Sequence, residues 1–196
     1  MKEDLKIFNQ DLKLEELEQN NKWQEAVNYL YQSWINDKFC INNVIRISSE
    51  CWYILVEWEH SDMQQFGINY DNLRAILVEV LFFCKANFKN EPIINFVLGY
   101  MLSLFPEYFF SEEESNYDNL EKQGKNMLKK AKEIEPNNPV FERGYFNSIF
   151  NSTSLIENEE YNLTCQKARQ NINQYFVGNS CMEVYFRDIF SSQRIK

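Results

Sequence analysis

The chain has 196 residues, of which 44% are hydrophobic and 16% aromatic, so it can form a core and is not a disordered tail. Five glycines and four prolines are too few for a β protein with many turns. Twenty basic and 29 acidic residues give a formal net charge of −9, which disfavours direct binding to nucleic acid or to anionic membranes and favours a cationic protein partner.

The N-terminal sequence MKEDLKIFNQ contains no apolar core of a secretory signal. The longest apolar stretch, residues 75–84, contains Glu79 and is too short to span a bilayer. The five cysteines are odd in number and widely spaced, which predicts reduced thiols rather than a disulfide framework. We therefore expect a cytoplasmic protein that makes no contact with membranes.

Hydrophobic periodicity predicts helices over almost the whole chain. The segment 5–17 fits either an extended lead-in or an extra helix. No later segment alternates with period two, so a sheet is not expected. Apolar residues spaced by three and four positions predict a helix after Pro139 and helices over 22–37, 42–59, 71–86, 90–105, 119–135, 157–175 and 181–190.

Several residues predict how these helices begin and pack. Asn20 and Asn21 are candidate caps for the helix that follows them, and Pro92 suits a first helical turn. The helix over 42–59 is apolar on more than one side, which predicts that it lies between neighbours. The tryptophans are expected in the core: Trp23, Trp34, Trp52 and Trp58.

The predicted fold is a single all-α domain of about seven or eight helices, stacked as antiparallel hairpins. A lead-in over 1–20 precedes a main array over 21–150 and C-terminal helices over 155–196. Gly124, Ala131 and Pro136 match the second half of a tetratricopeptide repeat, in which small residues let two helices approach closely. The first half of the repeat is poorly matched, so the array is a degenerate tetratricopeptide-like one.

Few residues suggest catalysis or metal binding. His60 is the only histidine, and the chain has no phosphate-binding loop and no GxSxG elbow. Helical carboxylate pairs such as Glu15 and Glu18 have no matching histidines for a di-iron site. We predict no enzyme activity, no cofactor and no metal. The alternative is a carboxylate-based enzyme, which would need a pocket containing acids with strongly raised pKa values.

An acidic and aromatic segment is the best candidate for a partner-binding surface. Residues 107–121 contain six acidic residues and no lysine or arginine, interleaved with aromatic residues. Aromatic anchors within a charged rim are typical of protein interfaces. The alternative is a solvated loop whose aromatic side chains pack back onto the helices. The candidate partner-binding residues are Glu107, Tyr108, Glu112, Glu113, Glu114, Tyr117 and Asp118.

Four stretches together resemble a family of helical, tetratricopeptide-like immunity proteins from bacterial contact-dependent growth inhibition and polymorphic toxin systems. They are NVIRI running into ECWY over 43–53, LGYMLSLFP over 98–106, residues 124–139, and VYFRDIF over 184–190. The resemblance implies a cytoplasmic inhibitor that occludes a cognate, basic toxin domain, often a nuclease. The resemblance assigns no catalytic residues to this chain. The alternative is a helical-repeat adaptor or regulator that binds a peptide or protein partner in a groove.

Overall fold

The computed structural model describes residues 6–58, 63–111, 115–149 and 159–192. Within these ranges the fold is all-α, as predicted, and the β pairing is limited to one parallel bridge between Phe8 and Phe176. Short 3-10 turns lie at Met63–Phe66 and Pro106–Phe109. The described helices are α1 (Leu12–Gln19), α2 (Trp23–Asn36), α3 (Ile41–Val56), α4 (Tyr70–Asn87), α5 (Pro92–Leu104), α6 (Tyr117–Ile134), α7 (Pro139–Ile149), α8 (Glu159–Tyr175) and α9 (Cys181–Ser191).

The N-terminal segment is both extended and helical. Its extended part pairs with the end of α8, where the amide of Ile7 donates to the carbonyl of Tyr175 at 2.9 Å. The helical part is α1, which makes the predicted capping role of Asn20 and Asn21 wrong. Asn20 instead ends α1 and donates through its side chain to the carbonyl of Glu16 at 2.7 Å. Lys22 precedes α2 without a side-chain cap.

The closest helix pair is α5 and α6, which meet at two glycines. A Cβ atom added to Gly124 would lie 2.5 Å from the backbone nitrogen of Ser103 and 2.9 Å from the carbonyl oxygen of Gly99. Gly99 in turn faces Leu128, so residue numbers rise along α5 as they fall along α6. The two helices are therefore antiparallel, and the predicted close approach at Gly124 is confirmed.

Helix α3 lies at the centre of the fold, as its apolar surface predicts. It packs against α2, α4, α5 and α9. Trp34 and Trp52 are fully buried, Trp23 is nearly so, and Trp58 is half-buried against Tyr70. One hydrophobic cluster extends along the described chain from the N-terminal segment to α9.

The cysteines form no disulfide bonds. All five cysteines are free thiols, and two of them, Cys51 and Cys84, are buried. The described residues contain no helix that combines the length and the apolar character needed to cross a bilayer. His60, with Glu59 and Asp62 beside it, lies outside the described residues.

Candidate protein-binding surface

The acidic segment begins as the 3-10 turn that follows α5. Its first aromatic side chains pack against the rest of the fold. Phe109 is buried, and Tyr108 is half-buried. The Tyr108 ring stacks on Phe105 with centroids 5.6 Å apart, and its hydroxyl donates to the carbonyl of Leu55 at 3.1 Å. Tyr108 therefore holds this segment against α3. This is what we expect of a solvated loop whose aromatic side chains pack back onto the helices.

The other predicted partner-binding residues differ in how far they are exposed to solvent. The carbonyl of Glu107 accepts a hydrogen bond from Arg74 at 3.2 Å. Tyr117 is 47% exposed, and Asp118 is exposed beside it in the first turn of α6, where a negative charge favours the helix dipole. The three consecutive acids, 112–114, lie outside the described residues. Tyr117 and Asp118 are thus the described members of the set that face solvent.

A groove of about 470 Å³ next to this segment follows the outer side of α4. Its apolar side chains include Phe82, which is 42% exposed, and half-buried Val78 and Phe110. The sequence analysis did not identify this groove. The signal for it is a second apolar stripe on α4, opposite the stripe that enters the core. The lining residues are Asp71, Arg74, Ala75, Val78, Glu79, Phe82, Phe110 and Ser111.

A buried ion pair joins the N-terminal segment, α3 and α9. One guanidinium nitrogen of Arg46 lies 3.0 Å from a carboxylate oxygen of Glu183, and both side chains are almost completely buried. Arg46 also donates to the hydroxyl of Ser180 at 2.9 Å and to the carbonyl of Asn9. The second carboxylate oxygen of Glu183 accepts from the amide of Gly178 at 2.8 Å. The pair therefore fixes the start of α9 against α3.

Glu15 and Glu18, which sequence reasoning compared with a metal-ligand pair, contact the start of α9 instead. Glu15 accepts a hydrogen bond from the amide of Asn179 at 2.9 Å, and Glu18 accepts one from the amide of Cys181 at 2.7 Å. Amide groups at a helix N-terminus lack intrahelical partners, so carboxylates there satisfy them and favour the helix dipole. These two glutamates thus attach α1 to α9.

Glu18 also meets Glu50 of α3 in a buried carboxyl pair. The two side chains are 4% and 2% exposed, and each has a buried carboxyl oxygen with no hydrogen-bond donor among the described residues. Burial raises the pKa of Glu18, and burial together with the neighbouring Glu18 carboxyl raises the pKa of Glu50 well above its ordinary value. Arg46 is the nearby cation, but Glu183 already pairs with it. The two buried carboxyls titrate as a pair, and the pair holds a proton more strongly than a free glutamate does.

A carboxylate-based enzyme, the alternative considered from the sequence, would need acids with raised pKa values. This carboxyl pair has such raised pKa values. However, both side chains are shielded from solvent, at 4% and 2% exposure, and the four described grooves are lined by other residues. A substrate would reach the pair only if α1 separated from α3. We therefore assign no chemistry to it and treat it as part of the packing of α1.

We expect Glu50→Gln to gain stability relative to the wild type as the pH rises. The folded protein holds a proton on the Glu50 carboxyl above the ordinary pKa of 4.5, whereas the unfolded chain releases it. The contribution of this group is therefore fully present below the unfolded pKa and is lost as the pH rises through the folded pKa. Glutamine stays neutral throughout. Urea unfolding of both proteins between about pH 5 and about pH 9 measures the difference between their free energies of unfolding.

The same comparison with Glu18→Gln should show the same trend with a smaller amplitude, because the pKa of Glu18 is raised less than that of Glu50. Comparing each variant with the wild type at the same pH cancels the titration of all groups that do not interact with the Glu18–Glu50 pair. A stability difference between Glu50→Gln and the wild type that stays constant with pH would contradict the buried, protonated pair.

No group of three or more His, Cys, Asp or Glu side chains in the described part of the chain is arranged to hold a metal ion. Comparison of the sequence with protein-family models gives no match, and comparison with curated proteins and with solved structures gives none either. The site is therefore interpreted from its own residues.

Proposed function

We propose that this protein is an immunity protein that binds a basic toxin domain and blocks it stoichiometrically. The observation that carries the proposal is an exposed acidic and aromatic surface at the start of α6, formed by Tyr117 and Asp118, on a chain of net charge −9. A toxin that acts on nucleic acid must present a cationic surface to phosphates, and such a surface attracts an acidic protein. The family resemblance of the sequence supports the same function.

Inhibition by this route needs no chemistry from the inhibitor. An interface of standard size, about 800 Å² on each partner, covers the active site of a small toxin domain and excludes its substrate. Long-range attraction between opposite charges speeds the encounter, and a few aromatic anchors slow dissociation. In this proposal Asp118 is part of the charged rim and Tyr117 is an anchor.

Charge reversal of the acidic segment is expected to weaken toxin binding by about 100-fold, because electrostatic steering supplies two to three orders of magnitude in association rate. The variant is Glu112→Lys, Glu113→Lys and Glu114→Lys. Its binding to the basic toxin domain that copurifies with the wild-type protein is measured by a biosensor titration, and protection is measured as growth of cells that express that toxin.

A matched control reverses three exposed acids outside the segment, on α1, on α2 and near the C-terminal end of α6: Glu16→Lys, Glu25→Lys and Glu133→Lys. It changes the net charge by the same amount and is expected to bind much more tightly than the segment variant. Equal losses in both variants would attribute binding to net charge alone. Unchanged binding of the segment variant would exclude the acidic segment as the contact surface.

A second candidate function, an adaptor that binds a peptide, is favoured by a groove of about 260 Å³ between α4, α5 and α6. Its floor includes Ile94 and Met127, and Lys85, Lys89 and Lys130 lie along its edge. This charge suits an acidic peptide and not a basic toxin. The adaptor function would be supported by two results together. The double variant Lys89→Glu, Lys130→Glu should lose the partner, and the variant with residues 112–114 changed to lysine should retain it.

A further inference from the structure

The outer face of α4 carries an apolar stripe that the described fold leaves open. Asp71, Ala75, Val78, Phe82 and Lys85 are spaced by four, three, four and three residues, so they share one side of the helix. Ala75 is exposed, Val78 is half-buried, and Phe82 is 42% exposed. We call these five residues the outer face of α4.

The opposite side of α4 is buried in the core. Its buried residues are Leu73, Ile76, Leu77, Val80, Leu81 and Cys84. A helix that is apolar on both sides usually lies between two neighbours. The main contacts of α4 within the described chain are with α3 and with the 3-10 turn at Pro106–Phe109. A second neighbour for the outer face is therefore missing from the described fold.

The outer face is complementary to a second copy of itself. Asp71 and Lys85 are both seven residues from Val78, about 10 Å along the helix axis in opposite directions. If two α4 helices pack antiparallel with Val78 on the two-fold axis, each Asp71 lies opposite Lys85 of the second copy. The small Ala75 then lies opposite the large Phe82, which lets the two helices approach closely.

The charges at the two ends of the face are available for this pairing. Asp71 makes no ion pair with any described residue. The Lys85 ammonium donates to the side-chain oxygen of Gln123 at 2.7 Å and lies 5.8 Å from the centre of the Phe82 ring. It is therefore at the edge of the apolar stripe, where an opposing carboxylate can reach it.

We propose that the protein forms a symmetric homodimer through the outer faces of two antiparallel α4 helices. The face and the groove beside it carry two carboxylates, Asp71 and Glu79, and two cations, Arg74 and Lys85, so a second copy with both signs of charge fits it better than a uniformly cationic partner. The interface is isologous, so each contact occurs twice. This proposal does not depend on the proposed function, since it concerns association of the protein with itself.

Sedimentation velocity of the full chain over a concentration series, at about 0.15 M salt to screen the net charge, tests the proposal. We expect a monomer–dimer equilibrium that Phe82→Glu weakens at least tenfold. The control, Leu163→Glu, introduces the same charge at a leucine on α8 that is 51% exposed, and it should leave the equilibrium unchanged. A chain that is monomeric at every concentration overturns the proposal, as does a dimer that tolerates Phe82→Glu.

A charge-exchange experiment tests the antiparallel arrangement. Asp71→Lys places lysines 71 and 85 opposite each other, and Lys85→Asp places two aspartates there, so each variant alone should associate at least tenfold more weakly. An equimolar mixture of the two variants restores both attractive pairs and should recover dimerisation. Because mixing changes no monomer, recovery cannot arise from altered folding. A mixture that associates no better than either variant overturns this arrangement.

Discussion

Replacing Arg46 with methionine is expected to lower the free energy of unfolding by about 3–5 kcal/mol, the range for breaking a buried ion pair by removing one partner. The substitution leaves the Glu183 carboxylate almost completely buried without its cation. It also removes the hydrogen bonds that Arg46 donates to Ser180 and to the N-terminal segment. Urea unfolding followed by circular dichroism measures the loss.

Two further variants separate the charge from the packing. Arg46→Met combined with Glu183→Gln removes both charges and keeps an acceptor for the amide of Gly178, so part of the lost stability should return. Arg46→Lys keeps the charge but not the planar fork and should give an intermediate loss. If Arg46→Met remains within about 1 kcal/mol of the wild type, the pair is not the main link between α3 and α9.

Gly124→Ala is expected to lower the free energy of unfolding by about 1–3 kcal/mol, the usual range for overpacking. The added methyl group would meet only backbone atoms: the nitrogen of Ser103, the oxygen of Gly99 and the carbonyl carbon of Leu102. Backbone cannot rotate away, so α5 and α6 must separate. The intrinsic preference of a helix for alanine, about 1 kcal/mol over glycine, opposes this loss but does not cancel it. Thermal and urea unfolding measure the net effect.

Gly144→Ala is the matched control on α7. Its Cβ atom would lie 2.8 Å from a ring carbon of Phe96, a side chain that can tilt, so its loss should be smaller than that of Gly124→Ala. A Gly124→Ala variant as stable as the wild type would mean that α5 and α6 do not meet at this glycine.

The helices were predictable because each one buries a stripe that repeats along the sequence. This is true of the buried residues of α4, and the close approach at Gly124 also has a local signal in its small residues. The ion pair of Arg46 and Glu183 has no such signal, since the two residues are 137 positions apart. A charge within the apolar run Val44–Ile47 indicates a buried partner but does not say which residue it is.

The candidate surface was only partly predictable for a similar reason. Tyr108 and Tyr117 have the same chemistry and lie nine residues apart in one acidic segment. Tyr108 donates a hydrogen bond to α3, whereas Tyr117 is exposed on the first turn of α6. That difference depends on where α3 passes, which is a tertiary property. The outer face of α4 has a sequence signal, but its spacing does not show what packs against it.

The contacts of α9 determine when the protein can complete its fold during synthesis. Arg46, Glu15 and Glu18 all depend on groups between residues 178 and 183, which leave the ribosome after α1 to α8 and long after the three residues themselves. A nascent chain that ends before α9 has an arginine and two carboxylates in its interior without their partners. Such contacts between distant residues slow folding and expose apolar surface meanwhile. Completion of the core is therefore expected only after α9 has emerged, and until then the chain is a substrate for chaperones.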